Sequence, residues 1–231
     1  MSDLVNNLEN IFGIKIKDES LFKKALTHPS NSAISADETY ERLEFLGDSV
    51  LKLLSSDILY NMFPEFPEGK LSKIRSVIVS DATLAEIFKS LKLQKYLILD
   101  KHDNKQHLRE NDTVCACAFE ALLGAYYLEG HQKKLRTFLK KQLSPHIDEV
   151  EKNYIKFNAK ALLQEYTQSI NKQLPVYELA DETGPAHKKT FTVNVYFRGE
   201  LCGTGSGLSK KEAEQNAAAA ACEKFEVREE Q

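Results

Sequence analysis

A chain of 231 residues with 42% hydrophobic content has enough apolar side chains for one large domain or two smaller ones, and two is the expectation. A net charge of −3 and an isoelectric point near 6.1 exclude a uniformly basic nucleic-acid binder, so any such function must rest on local patches. The cysteines at 115, 117, 202 and 222 have neither framework spacing nor paired C-x-x-C units, which argues against a disulfide scaffold or structural zinc and points to a reducing compartment.

In chain order, the stretch from Met1 to Phe12 is interrupted by Asp3, Glu9 and several asparagines, so it does not read as a signal peptide. No apolar run approaches membrane-spanning length, and a soluble, cytoplasmic protein without a membrane partner is expected. From Leu21 to about Ile147 apolar residues recur three and four apart, over 41–62, 70–79, 81–93 and 113–128, which predicts an all-helical domain. Breaks fall at Phe63–Gly69, which holds two prolines, and in the polar stretch 101–111. Pro145 and the charged segment 148–156 are expected to end this domain, giving a first domain over 1–150, a linker over 151–157 and a second domain over 158–227.

Beyond Phe157 the pattern changes. A helix over 159–171 precedes three alternating runs, 176–179, 191–197 and 200–205, read as antiparallel strands. A last helix opens at Ser209-Lys210-Lys211-Glu212, a capping box, and runs through the alanines 217–221. The order α-β-β-β-α predicts a small α+β domain with both helices on one face of a sheet. Gly203-Thr204-Gly205-Ser206-Gly207 lacks a Gly-Lys-Ser/Thr ending, so no nucleotide cofactor is expected, and its glycines read as ending a strand.

Two segments carry chemistry. Glu41, Glu44 and Asp48 fall in eight residues and, at roughly 100° per residue, in one narrow sector of a helix. Leu43, Leu46, Val50, Leu53 and Leu54 are expected to turn the other way, into a core. No lysine follows Glu41 or Glu44 by four residues, so these acids lack the simplest partner, whereas Lys52 does follow Asp48 by four. Crowded carboxylates on a rigid scaffold suit a hard divalent cation such as Mg²⁺, and such ions support phosphate chemistry. Downstream, Glu120 stands alone on an apolar stretch, Cys117 to Leu128, where a carboxylate is costly to bury unless paired or metal-bound. His28, beside Pro29, reads as a structural hydrogen-bonding group.

Glu41-Arg42-Leu43-Glu44-Phe45-Leu46-Gly47-Asp48-Ser49 closely resembles the nine-residue stretch that marks ribonuclease III endonuclease domains. Ala25-Leu26-Thr27-His28-Pro29-Ser30, Pro67-Glu68-Gly69-Lys70-Leu71-Ser72 with Arg75, and Phe119-Glu120-Ala121-Leu122-Leu123-Gly124-Ala125 support the likeness, and residues 158–226 resemble a double-stranded-RNA-binding domain. The resemblance implies a homodimer in which two centres each cut one strand of an RNA duplex, leaving 5′-phosphate and 3′-hydroxyl ends, in processing of ribosomal and other RNA precursors. It implies that Glu44, Asp48 and Glu120 bind Mg²⁺, with Asp48 and Glu120 the essential catalytic pair, that Glu41 and Glu68 line the same valley, and that Phe45 inserts into the partner subunit. It assigns Gln164, Glu165, His187, Lys210 and Lys211 to the RNA. Lys210 and Lys211 also stand out physically, because cations in the first turn of a helix oppose its dipole, while phosphate there is favoured.

One position departs from the family. Three residues before Glu120, where the family has aspartate, this chain has Cys117, a soft and neutral group that is a poor ligand for Mg²⁺. Asp112 lies about 12 Å from Glu120 along the helix axis and is no substitute. Three outcomes follow for Cys117 as a metal position: water fills the gap with weakened affinity, Mn²⁺ becomes preferred, or cleavage is lost. The first is the expectation. The rival to a nuclease is therefore a duplex-binding regulator or a ribosome-associated relative with an impaired centre. Residues 156–227 hold nine basic and nine acidic side chains, so the second domain is neutral overall and duplex binding is expected to be salt-sensitive.

Overall fold

The computed structural model describes residues 2–31, 35–100, 105–185 and 189–227. It divides into two compact units, 1–148 and 149–231. Among the described residues no helix is long and apolar enough to cross a membrane.

The first unit is built from α1 (Asp3–Phe12), α2 (Glu19–Ala25), α3 (Glu41–Met62), α4 (Glu68–Ile78), α5 (Asp81–Ser90), α6 (Lys105–Glu110) and α7 (Asp112–Leu128), with α8 (Gln132–Lys152) running just past its end. A helix apolar around most of its circumference must be buried around most of it, and α7 is: Val114, Cys115, Ala118, Phe119, Leu122, Leu123, Ala125 and Tyr126 are inside, while one partly open stripe carries Cys117 and Glu120. Against it lies α3, which buries Leu43, Val50, Leu51, Leu54 and Ile58. The two backbones meet at glycines. A Cβ on Gly47 would stand 1.7 Å from the Glu120 carbonyl oxygen, and one on Gly124 would stand 2.4 Å from that of Leu43.

Asp3–Phe12 is a helix, which local periodicity does not signal. Ser2 caps it and Phe12 anchors it, with ring centroids 4.5 Å from Tyr126 and 4.1 Å from Phe138. Each such buried aromatic contributes roughly 1.5–3 kcal/mol, enough to hold a ten-residue helix that would be marginal alone. Nor does Pro145 end α8. Leu135, Leu139, Leu143 and Ile147 form a buried stripe four residues apart, and their packing carries the helix through the one backbone hydrogen bond that proline removes. The helix breaks instead at Asn153, and α9 (Tyr154–Asn171) begins at once, five residues earlier than the periodicity indicates. Leu53, expected in the core, is 63% exposed because it shares the outward face of α3 with Phe45 and Tyr60.

In the second unit α9 leads into β1 (Val176–Thr183), β2 (Thr190–Phe197) and β3 (Glu200–Gly207), an antiparallel sheet in the order β1-β2-β3, and α10 (Lys210–Lys224) closes it. Strands β2 and β3 are joined by Arg198-Gly199, both at positive φ as a two-residue hairpin turn requires. Val193, Val195 and Phe197 face the helices and form one core with Leu163, Ala213, Ala217, Ala218 and Ala221.

The glycines of 203–207 lie within β3 rather than ending it. Phe191, Val193 and Val195 of β2 pair with Gly207, Gly205 and Gly203, so large residues on one strand stand beside bare backbone on the next. Into that channel α10 drops: a Cβ on Gly205 would stand 2.1 Å from the Ala217 nitrogen and one on Gly203 2.4 Å from the Ala217 oxygen. Alanine on the helix and glycine on the strand are two halves of one contact.

Gly47→Ala is expected to destabilise the protein by about 3 kcal/mol or more, because the obstruction is backbone and one helix must move. Gly69→Ala, on α4 with open space around its Cβ, is expected to be neutral or stabilising by about 0.5–1 kcal/mol. Denaturant unfolding of the two variants measures both; equal stabilities would refute the tight crossing.

Candidate functional site

The crossing of α3 and α7 assembles the acids. Glu44 and Asp48 flank Gly47 on α3, and the backbone that Gly47 touches is that of Glu120. Glu120 is half-buried in mid-helix, and burial, then the charges of Asp48, Glu44 and Asp81, push its carboxyl up to about 7, with Lys52 opposing the shift. One turn earlier, burial first and then the Glu44 carboxylate push the Cys117 thiol up to about 12, aided by Glu120 and Asp81. The Tyr40 phenol is driven above its usual range by burial and by Cys117, Glu44 and Glu41. Glu44, Asp48, Glu120 and Cys117, drawn from two segments about 70 residues apart, thus share one electrostatic environment. Tyr40 and Asp81 belong to it as well.

The donor chemistry suits a hard divalent cation: a carboxyl raised to about 7 by burial and then by neighbouring carboxylates is a group whose ionised form a cation favours. The Cys117 thiol, kept protonated, adds nothing to such a set. As placed, no three His, Cys, Asp or Glu side chains among the described residues converge closely enough to hold one ion. Several of the acids have polar partners of their own. Asp48 accepts a hydrogen bond from Lys52 Nζ at 2.8 Å, and Glu41 accepts one from the Thr39 hydroxyl at 3.2 Å. Glu68 accepts one from the Ser72 hydroxyl at 2.6 Å, and Arg75 ties this corner of α4 to Ser56 of α3 at 2.7 Å. Glu68 is not among the leading charges acting on Glu120.

In the second unit, Gln164 and Glu165 are exposed on α9. Lys210 and Lys211 are exposed in the first turn of α10, with Lys210 Nζ 5.9 Å from the centroid of the Phe191 ring. The cap differs in detail from the expected box. Ser209 Oγ accepts from the Glu212 N–H at 3.1 Å, but Glu212 reaches back to the N–H of Leu208, at 2.8 Å, rather than to that of Ser209. His187 lies outside the described residues. Gly184 and Pro185 precede it, Gly184 at φ 96°, next to a Lys189–Glu182 ion pair.

Residues 18–147 match the family model described as ribonuclease-III-like, and residues 159–225 match the double-stranded RNA binding motif. The chain is 38% identical to Ribonuclease 3 of Desulfotalea psychrophila over 94% of its own length and 91% of that protein. It is 40% identical to Ribonuclease 3 of Pelotomaculum thermopropionicum, over 97% and 95% respectively. The chain belongs to the ribonuclease III family of endoribonucleases. Among solved structures it is similar to the nuclease domain of ribonuclease III from Campylobacter jejuni, in work on flexibility of a region involved in dimer formation. That match has a TM-score of 0.57 and 31% identity, over 62% of this chain and 97% of that one.

Other polar groups of this ribonuclease III family member are occupied elsewhere. His28 Nδ1 accepts the Ser30 N–H at 3.0 Å and meets the Ser30 hydroxyl at 2.8 Å, the structural role expected of it. Asp112 pairs with Lys89 at 2.5 Å, and the buried Cys115 thiol donates to the Arg109 carbonyl at 3.3 Å. Of the acids grouped from the sequence, Glu44 and Asp48 act on Glu120 across the crossing, Glu41 acts on Tyr40, and Glu68 is not among the leading charges on either. Asp81 and Tyr40 were missed: Asp81 reads locally as an acid in the first turn of a helix capped by Ser80, and nothing nearby in sequence signals its closeness to Cys117 and Glu120.

Without a cation, Glu120 keeps its proton to about pH 7 in the folded chain, but releases it near its ordinary 4.5 when unfolded. The folded state therefore binds more protons between these values, so stability falls as pH rises through this window and the loss is complete above about 7. Glu120→Gln is expected to unfold at a higher temperature than wild type in chelator at about pH 8, and at a similar temperature near pH 4.5. Parallel melting curves across that range would contradict a Glu120 carboxyl raised by burial and its neighbouring charges.

Proposed function

We propose that this protein is a divalent-metal-dependent endoribonuclease that cleaves double-stranded RNA to 5′-phosphate and 3′-hydroxyl ends, acting in the cytoplasm as a homodimer on ribosomal and other RNA precursors. The observation that carries the reading is the meeting of Glu44 and Asp48 on α3 with Glu120 on α7, where burial first and then the charges of Asp48 and Glu44 raise the Glu120 carboxyl to about 7. Glu44, Asp48 and Glu120 are the groups that would hold Mg²⁺ or Mn²⁺, Asp48 and Glu120 as the catalytic pair, with Glu41 and Glu68 supporting at the edge. A bound dication supplies an acidified water to attack phosphorus and positive charge against the departing oxygen. The side chains do the rest: the carboxylates fix the cation against the crossing, and the buried back of α3 keeps them from swinging away.

Duplex RNA is assigned to the second domain, with Gln164, Glu165 and His187 toward the minor grooves and Lys210 and Lys211 toward phosphate. In support, Lys210 and Lys211 are exposed in the α10 first turn, where their charges oppose the helix dipole and a bound anion would offset that cost. The homodimer is assigned to the outward face of α3, where Phe45, Leu53 and Tyr60 are 79%, 63% and 73% exposed within about 80° of the helix circumference. The functional division is 1–150 and 158–227, and the break at Asn153 falls in the 151–157 connection. Cys117 favours a second reading, a duplex-binding member of the family with an impaired centre, since it removes one hard donor.

Purified protein and labelled duplex RNA, incubated with Mg²⁺, Mn²⁺ or chelator, test both readings. Cleavage is expected with metal and none in chelator, while Asp48→Asn and Glu120→Gln bind the duplex without cutting it. Cys117→Asp is expected to cut at lower Mg²⁺ than wild type; equal curves would show that position 117 is no ligand site, and a duplex bound but uncut under all metals would install the second reading. Replacing both Lys210 and Lys211 by Ala is expected to weaken binding whatever the RNA sequence, and to flatten the salt dependence by about 0.7–0.9 per lost contact in log–log slope. Unchanged affinity would remove the phosphate assignment.

A further inference from the structure

Lys52 is the basic side chain that enters the acidic cluster. Its ammonium is 2.8 Å from Asp48 Oδ2, and its charge reaches across the helix crossing to Glu120. Its stem starts from a pinned stretch of backbone: the Lys52 carbonyl accepts the hydroxyls of Ser55 at 3.2 Å and Ser56 at 2.5 Å, and Ser56 in turn accepts from Arg75. The head is at the rim, with side-chain exposures of 57% for Lys52 and 39% for Asp48. A pair so placed separates cheaply, since the freed ammonium regains water at once.

We propose that Lys52 is a tethered counter-ion: it neutralises Asp48 in the metal-free protein, and a dication must displace it to gain that carboxylate, so Lys52 sets the threshold for metal loading. This rests on the metal-centre reading above. The arrangement matters here because the cluster is already short of charge. With Cys117 protonated, Glu44, Asp48 and Glu120 are the three acids left, and an ammonium seated on one of them removes a further part of the field that attracts a divalent ion. Its opposite effects on the two states of the protein distinguish this role from that of an ordinary surface ion pair. Removing the ammonium leaves the metal-free carboxylates more repulsive and the fold less stable, yet frees Asp48 and strengthens dication binding. An ion pair that merely braced α3 would weaken the fold and leave metal affinity unchanged or lower.

The test is equilibrium binding of Mn²⁺ to the full chain without RNA, followed by the electron paramagnetic resonance signal of the free ion at low salt near neutral pH. Wild type, Lys52→Gln and Lys52→Arg are compared, each checked by circular dichroism and by thermal unfolding in chelator. Lys52→Gln is expected to bind Mn²⁺ about two- to five-fold more tightly, the range that separation of an exposed ion pair allows, and to melt lower than wild type in chelator. Lys52→Arg, which keeps the cation, is expected to bind as wild type does. Equal or weaker binding by Lys52→Gln, with wild type binding normally, would overturn the counter-ion role alone. Wild type that binds no Mn²⁺ at millimolar concentration would overturn the metal centre itself, and the role of Lys52 with it.

Discussion

The whole first unit depends on a contact in which side chains are absent. Gly47 and Gly124 let α3 and α7 touch backbone to backbone, and any Cβ at Gly47 would overlap the Glu120 carbonyl. That approach places the carboxylates of two distant segments on either side of a helix crossing. Burying Glu120 and then setting it beside other carboxylates opposes folding, as its raised carboxyl records. What overcomes this cost is the apolar bulk of α7, packed against α3, α5 and the aromatic group around Tyr126. Hydrophobic burial is non-directional and large, so it can hold acids together at a spacing they would not choose.

The same device appears in the second unit. There the bare positions are on a strand, and the alanines of α10 lie over Gly203, Gly205 and Gly207. The close approach fixes where α10 begins, and hence where Lys210 and Lys211 project. In both units a small-residue contact sets the position of charged groups that do not take part in the contact. Packing determines electrostatics, because the rigid element carries the charge wherever the interior places it.

Charge balance is where this chain differs from the pattern it resembles. Cys117 stands at a usual carboxylate position, with its thiol held protonated by burial and by Glu44. Around it are Asp81 from α5, whose charge acts on both Cys117 and Glu120, and Lys52, which holds Asp48. The cluster thus consists of three carboxylates, one neutral sulfur and an exposed ammonium at the rim, rather than a uniform ring of acids. Tyr40, buried against the thiol, closes the inner side.

Much of this was legible without coordinates. The period of the apolar residues marks α3 and α7 and the two-residue alternation marks β2, since each pattern matches one face of one element. The capping Ser209 and the sector holding Glu41, Glu44 and Asp48 are equally local, because both are set within a turn or two of chain. The helix at 3–12, the passage of α8 through Pro145, the exposure of Leu53 and the role of the β3 glycines were not legible. Each is decided by what lies opposite: Tyr126 for Phe12, a buried leucine stripe for Pro145, nothing for Leu53, and the backbone of α10 for the glycines. Glu120 was recognisable as an anomaly on an apolar helix, but not Asp81 or Tyr40 as its companions, because a charge in a first helical turn and a buried phenol are ordinary until their neighbours are known. By itself the sequence determined the kinds of element, the donor types and the family. Only the tertiary structure decided which acids meet across the helix crossing, because through-space distances between segments follow from packing against third elements, which no local pattern encodes.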